Sequence, residues 1–259
     1  MTLRRVRRVW AVAAIHGDAE RLTRLHAVLA GRFKPGDRLV YLGNYMGYGA
    51  DVCGTVDGLL AFRRALLARP GVAACDIVFL RGAQEEMWSK LLQIHLAFNP
   101  VEVVQWMLDR GVGATLAAYG IDIARGLARA RVGAVDLARW TGELRRAMQA
   151  RPGHFTLMSA LRRAAFTDDS ALLFVHAGVD ASRPLAAQGD ALWWGGGGFD
   201  SLAEPFGDFR LVVRGFDRNG GGFRVARFTA TIDAGCGFGG PLCAGCFDVE
   251  EGLVDRIEA

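Results

Sequence analysis

The sequence predicts an α/β fold: a β-sandwich flanked by helices and interrupted by a helical insertion. Three observations point to it. Short apolar runs alternate with amphipathic stretches from Val9 to Leu80, strand-like runs return in close succession from Ala171 onward, and glycines cluster where strands end. Such alternation builds a parallel sheet with helices against it, and places function at the carboxyl ends of the strands. At 259 residues the chain is long enough for one large core, so a single domain spanning 1–259 is expected, with the helical insertion at about 84–166.

Val9 to Ala14 carries no charge and reads as a buried first strand. Asp18 to Ala30 is helical, with Leu22, Leu25, Val28 and Leu29 on one face. Lys34-Pro35-Gly36-Asp37 is a turn, Arg38 to Gly43 a second strand, Asp51 to Ala68 a second helix and Asp76 to Leu80 a third strand. Gln84 to Phe166 is predominantly helical, with joints at Gly111 to Gly113 and Pro152-Gly153. Strands follow at Ala171 to His176, Phe209 to Arg214, Phe223 to Phe228, Thr229 to Asp233, Pro241 to Asp248 and Leu253 to Ile257. Asn219-Gly220-Gly221-Gly222 reads as a hairpin turn, because an Asn-Gly pair accommodates positive φ.

Composition narrows the class. With 51% hydrophobic and 22% charged residues the chain is globular. Its net charge is +4, and four arginines crowd into Leu3-Arg4-Arg5-Val6-Arg7-Arg8-Val9, read as a solvated strand edge that blocks edge-to-edge pairing. The apolar run behind them is too short for a signal peptide, and no stretch approaches the ~20 apolar residues of a membrane span. No membrane segment, no specific nucleic-acid signal and a cytoplasmic location are expected. Five cysteines, an odd number, argue against a disulfide framework. Cys243 and Cys246 stand three apart on an expected strand, so they point to opposite faces and read as buried thiols, not as metal ligands.

Each expected strand end carries a motif. They are Ala13-Ala14-Ile15-His16-Gly17, Gly43-Asn44-Tyr45-Met46-Gly47-Tyr48-Gly49, Arg81-Gly82-Ala83-Gln84-Glu85, His176-Ala177-Gly178, Arg214-Gly215-Phe216-Asp217, and Ile232-Asp233-Ala234-Gly235 with Gly239-Gly240-Pro241-Leu242. The helical region adds Trp106-Met107-Leu108-Asp109-Arg110-Gly111 and Ala114 to Gly120, and Ala191-Leu192-Trp193 follows later. In order and spacing, from about Val9 to Ile257, this set resembles the bacterial branch of the phosphoprotein phosphatases, within the calcineurin-like metallophosphoesterases. Their corresponding loops read Gly-Asp-x-His-Gly, Gly-Asp-x-Val-Asp-Arg-Gly, Arg-Gly-Asn-His-Glu, His-Ala-Gly, Gly-His-Thr and Asp-Thr-Gly. Any one match is weak; the ordered set points to common descent.

The resemblance implies the fold of that family, and an eroded site. Of the family's metal-ligand positions, His16 and His176 survive, Asn44 replaces a bridging aspartate, and Ala14, Ala83 and Phe216 offer no ligand. The acid/base pair maps to Gly47 and Gln84, and the phosphate-clamping arginines to Tyr48 and Gly195. Two dications ~3.5 Å apart repel by roughly 20 kcal/mol at an effective dielectric of ~20, and the anions that offset this in the family are missing.

The expected function is therefore that of a pseudophosphatase, not an enzyme, acting by binding an unidentified protein as a partner or regulatory subunit. The alternative is an active metal-dependent serine/threonine protein phosphatase or phosphoesterase with a rebuilt site, in which Arg81 and Arg214 contact the phosphate. No cofactor is expected; at most one weakly held divalent ion (Mn, Fe or Zn) sits on His16, Asn44 and His176, with Asp18, Gln84 or Glu85 as further recruits. Two candidate contact surfaces stand out, Trp88 to Tyr119 and the loop from Trp193-Trp194 through Gly195 to Gly198. Within the first, Trp106, Met107 and Leu108 read as packing with Val103 and Val104.

Overall fold

The computed structural model describes residues 1–196 and 198–259, so Gly197 of the expected tryptophan-glycine loop lies outside the described residues. The chain begins with β1 (Thr2–Leu3), β2 (Arg8–Val12), α1 (Ala19–Arg32), β3 (Arg38–Tyr41), α2 (Val52–Leu67) and β4 (Ile77–Phe79). A helical block follows: α3 (Ala83–Leu91), α4 (Pro100–Met107), α5 (Gly113–Ala118), α6 (Ile123–Val132), α7 (Ala134–Gln149) and α8 (His154–Ala160). Then come β5 (Ala165–Thr167), β6 (Leu172–Val175), α9 (Ala191–Trp194), β7 (Leu211–Arg214), β8 (Arg224–Val225), β9 (Thr229–Thr231), β10 (Cys243–Asp248) and β11 (Gly252–Glu258).

One sheet has the order β11-β10-β2-β3-β4, with β2, β3 and β4 parallel and β10 antiparallel to β2. Its central strands are apolar without alternation because both faces are covered, by Leu22, Leu25, Val56 and Leu59 of α1 and α2 and by the second sheet. The second sheet runs β1-β5-β6-β7-β9-β8. Along β6 the two-residue period separates two cores. Leu172 and Phe174 join the large core between the sheets, while Leu173 and Val175 join a smaller one with Val179, Leu192, Phe199 and Phe206. Phe174 meets Phe247 of β10 edge-on, centroids 6.1 Å apart, where the sheets touch.

Helices start where the motif loops stop. The Asp18 carboxylate accepts the Arg21 N–H at 3.0 Å, and Asp51 accepts that of Gly54 at 2.7 Å. An aspartate N-cap contributes about 1 kcal/mol each time.

Three details differ from the sequence expectation. The strand expected over Phe223 to Phe228 shrinks to Arg224–Val225, because Asp217 draws in both the Gly221 N–H and the Arg224 guanidinium and curls the segment around it. β5 begins at Ala165, inside the range read as helical, and pairs with β1, which the pattern did not reveal. The arginines after β1 are cross-ties as well as solvated charge: Arg8 grips Asp37 with contacts of 2.8–3.0 Å, and Arg7 reaches Asp248 at 3.1 Å. The cysteines behave as small apolar groups. Cys243 and Cys246 are free and buried on β10, and burial pushes the Cys246 thiol up to about 12.

Candidate functional site

The loops after β2, β3, β6, β7 and β9 bring His16, Asn44, His176, Phe216 and Asp233 to one edge of the sandwich. The backbone there is strained in a specific way. His16, Asn44 and Tyr48 all have positive φ, at 54°, 54° and 45°, among only five described non-glycine residues that do. Side chains avoid this region by roughly 1–2 kcal/mol, so the surroundings must hold it. Glu85 does much of that. Its buried carboxylate accepts N–H bonds from Asn44, Tyr45 and Met46 of one loop and from Gly82 of another, at 2.8–3.3 Å. Burial pushes the Glu85 carboxyl up, and these donors pull it back down.

On this frame the polar groups bind one another. Asn44 Nδ2 lies 3.3 Å from His16 Nε2, and Asn44 Oδ1 accepts the Gln84 N–H at 2.9 Å. His176 Nδ1 donates to the Leu42 carbonyl at 2.7 Å, which fixes its tautomer and leaves Nε2 without a partner. Both imidazoles are fully buried, and burial drives their pKa values down, to about 3 for His16, which His176 lowers further, and about 4 for His176. They are neutral at physiological pH.

Aromatic rings occupy the space around these nitrogens. Phe216 stacks on His176, with centroids 5.4 Å apart and planes 6° from parallel, and stands edge-on to His16, also at 5.4 Å. Tyr48 and Phe238 flank His16 at 5.3 and 5.2 Å. Phe238 rides between Gly237 and Gly239, both at positive φ, on a loop so close that a Cβ at Gly237 would lie 2.4 Å from His16 Cβ. Gln84 fills another gap: a Cβ on Gly47 would fall 2.4 Å from Gln84 Cδ, so the amide stands where a side chain at 47 would go.

These residues do not fit a pair of catalytic metal ions. The donors are two neutral imidazoles and one amide, whose atoms Asn44 Oδ1 and His16 Nε2 are already engaged, and no carboxylate bridges them. Among the described residues no group of three or more His, Cys, Asp or Glu is disposed to hold a metal.

Above this floor opens a cleft of about 810 Å³. Tyr48, Trp106, Trp193, Trp194, Phe216 and Phe238 supply its aromatic walls, and Asp109, Arg110, Asp217, Arg218 and Asp233 its charges. Trp106, read from the sequence as packing with its neighbours, is instead a cleft wall. Val104 and Met107 take the buried side of α4, which leaves Trp106 exposed and edge-on to Trp194 at 5.7 Å. The wall is set by an irregular turn after α4, where Gly111 has φ 91° and Gln84 Nε2 donates to the Arg110 carbonyl at 2.7 Å.

Neither arginine singled out from the sequence offers an open charge to this cleft. Arg81 pairs with Glu86 at 3.0 Å and lines a separate hollow beside Trp88 and Arg145. Arg214 is buried beneath a second hollow, donating to Thr231 Oγ1 and to the Asp200 carboxylate, 3.0 Å from Asp217 and over the Phe199 ring. The cations in the cleft are Arg110, which stacks on Trp106 at 4.2 Å, and Arg218. Arg110 lay in plain sight in the Trp-Met-Leu-Asp-Arg-Gly segment; nothing in the sequence marked Arg218 or Phe238.

Comparisons with known proteins agree with the fold. The crystal structure of a putative diadenosine tetraphosphatase superposes with a TM-score of 0.58 at 20% identity, covering 100% of this chain and 97% of the other. A protein serine/threonine phosphatase from Saccharomyces cerevisiae, similar to human PP5, matches with a TM-score of 0.52 at 13% identity over 97% and 80% of the two chains. The cold-active protein-tyrosine phosphatase of a psychrophilic Shewanella matches with a TM-score of 0.51 at 12% identity over 99% and 81%. No protein-family model and no curated protein matches the sequence. Two sheets flanked by helices, in this order, constitute the calcineurin-like metallophosphoesterase fold.

Proposed function

We propose that this protein is a pseudophosphatase: it keeps the phosphoesterase fold, does not hydrolyse phosphate esters, and acts by binding as a partner or regulatory subunit. The observation that carries this reading is Phe216, whose ring stacks on one surviving histidine and meets the other edge-on. Hydrolysis on this fold needs paired cations, a phosphate clamp and a proton donor. At the positions that the family resemblance assigns to all three, this chain carries other groups. Phe216 packs against the remaining nitrogen ligands, Tyr48 stands at a clamp position, and Gln84 fills the space beside Gly47.

What remains is a recognition surface. Ordinary ligand sites measure roughly 300–1,000 Å³ and are mostly apolar with a few polar groups. The cleft is of that size, with six aromatic walls and charges of both signs; with Asp217 already paired to Arg214 and Arg224, Asp109 and Asp233 stand against Arg110 and Arg218. Such a balance does not select for a phosphate dianion, and it suits an apolar or aromatic element of a protein partner.

The test is turnover of an aryl phosphate and a phosphopeptide with Mn²⁺ in excess. Wild type is expected to be no faster than a variant carrying His16→Ala and His176→Ala. Turnover near an ordinary enzymatic rate of about 1–10 s⁻¹, abolished in that variant, overturns the reading.

A further inference from the structure

The segment from Gly120 to Arg163, which carries α6 to α8, holds more than the whole excess positive charge of the chain. From Gly120 to Arg163 there are nine arginines, no lysine and three acids, an excess of six, while the whole chain has an excess of four. The remainder is therefore negative by two. Within the segment the acids are spent: Arg125 and Arg129 share Glu143, Arg139 pairs with Asp136, and Asp122 caps α6. Arg131, Arg145 and Arg146 are exposed and form no ion pair among the described residues.

The exposed positions follow one stripe on each helix, running through Arg125, Arg131 and Val132 on α6 and Val135, Arg139 and Arg146 on α7. The four most exposed large apolar side chains among the described residues lie on or beside these helices. Val132 (72% exposed) and Val135 (69%) bracket Gly133, the joint between α6 and α7. A second joint, whose Ile94–Leu96 turn packs beside α7, presents Leu96 (74%) and the fully exposed Phe98 (106%). Single exposed apolar residues are ordinary, but the four largest such exposures among the described residues falling beside unpaired arginines point to an interaction surface.

We propose that the α6–α7 hairpin, with the neighbouring Leu96–Phe98 turn, docks on the surface of an anionic lipid bilayer. Arginine heads meet lipid phosphates while the apolar tips enter the headgroup boundary, the two contributions that hold interfacial helices in place. A nucleic acid would use the arginines and leave the valines and Phe98 in water. A protein partner would need a groove or a continuous apolar patch, whereas these groups are separated by arginines and by alanines such as Ala124, Ala128 and Ala134. This surface lies outside the aromatic cleft and stands independently of the pseudophosphatase reading.

The test is co-sedimentation of the full chain with phosphatidylcholine vesicles, with and without about 30 mol% phosphatidylglycerol. Partitioning onto the anionic vesicles is expected to exceed that onto neutral ones by at least about tenfold and to fall as salt is raised. Replacing Arg131→Gln, Arg145→Gln and Arg146→Gln together is expected to weaken it about 100-fold. Val132→Ser with Val135→Ser is expected to weaken it about tenfold at constant charge. An unchanged thermal midpoint in both variants shows that the surface, not the fold, was altered. No partitioning onto anionic vesicles at low salt overturns the proposal. So does tighter binding to a polyanion such as poly(U) that the valine substitutions leave unchanged, which would assign the face to nucleic acid.

Discussion

Phe216 stacks on His176 and edges His16, so replacing it reports on both imidazoles at once. Phe216→Ala is expected to cost about 2 kcal/mol, less than the roughly 3–5 kcal/mol of a fully buried ring because Phe216 is only partly buried. It also admits water to two nitrogens that now have no partner, His176 Nε2 and His16 Nδ1. Their pKa values, about 4 and about 3 in the wild type, should climb toward the ordinary imidazole range. Imidazole resonances followed by NMR between pH 5 and 8 check this: silent in the wild type, titrating in the variant. Gly47 and Gln84 form a second coupled pair. Gly47→Asp meets both a φ of 89° and the Gln84 amide, so it is expected to cost about 2–3 kcal/mol, and about 1 kcal/mol less when Gln84→Ala is present. A double-mutant cycle with no coupling would mean the amide does not hold that space. At this scale the sequence was informative where a motif fixed the backbone, as at His16, Asn44 and His176, which the fold does bring to one edge. It was silent on Arg218 and Phe238, because their positions depend on how two loops fold over the floor and not on any local pattern.

At the scale of elements, the loops after β3 and β4 are joined to each other through Glu85. Four backbone donors converge on its two oxygens, and a neutral amide accepts on only one side. Glu85→Gln is therefore expected to cost about 2–4 kcal/mol, because buried N–H groups lose their acceptor. Chemical denaturation measures it, and a cost below about 0.5 kcal/mol would show that the clamp is dispensable. The long elements were readable in the sequence because their periodicity repeats: α1 and α2 lie within two residues of the expected limits. β1 and β5 were not, since strands of two and three residues carry too short a period to recognise and are defined by their pairing, β1 with β5 and β5 with both β1 and β6. Trp106 was misplaced for a related reason. Helical spacing puts it near Val103 and Met107, but the turn at Gly111 opens that side of α4 to the cleft.

For the whole molecule, burial of neutral histidines ties stability to pH. His16, His26 and His176 have folded-state pKa values of about 3, about 3 and about 4, each lowered first by burial. In the unfolded chain they bind a proton below about 6.5, so the unfolded state gains protons that the folded state refuses. Their contribution is complete above pH 6.5 and is lost as pH falls toward 4. Each removes about 2 kcal/mol between pH 7 and pH 5. Urea unfolding at the two values checks the slope, and His26→Gln should reduce it by about a third, since that residue lies outside the cleft beside Tyr41 and Phe62. A stability that is flat with pH would mean the imidazoles accept protons without unfolding.

The fold class was legible at this scale because strand-end glycines and buried apolar strands specify the backbone independently of the groups that line the cleft. The cleft's aromatic walls were not legible: the sequence marked positions without metal-ligating side chains, and the structure was needed to bring Tyr48, Phe216, Phe238 and the tryptophans together. Elemental analysis of the protein after dialysis against Mn²⁺ tests the central claim most directly. Neutral, mutually bonded donors beneath Phe216 predict less than about a tenth of an equivalent of bound metal per chain. A content near two equivalents would contradict the account, and would mean that ligands outside the inherited positions have rebuilt a dinuclear centre.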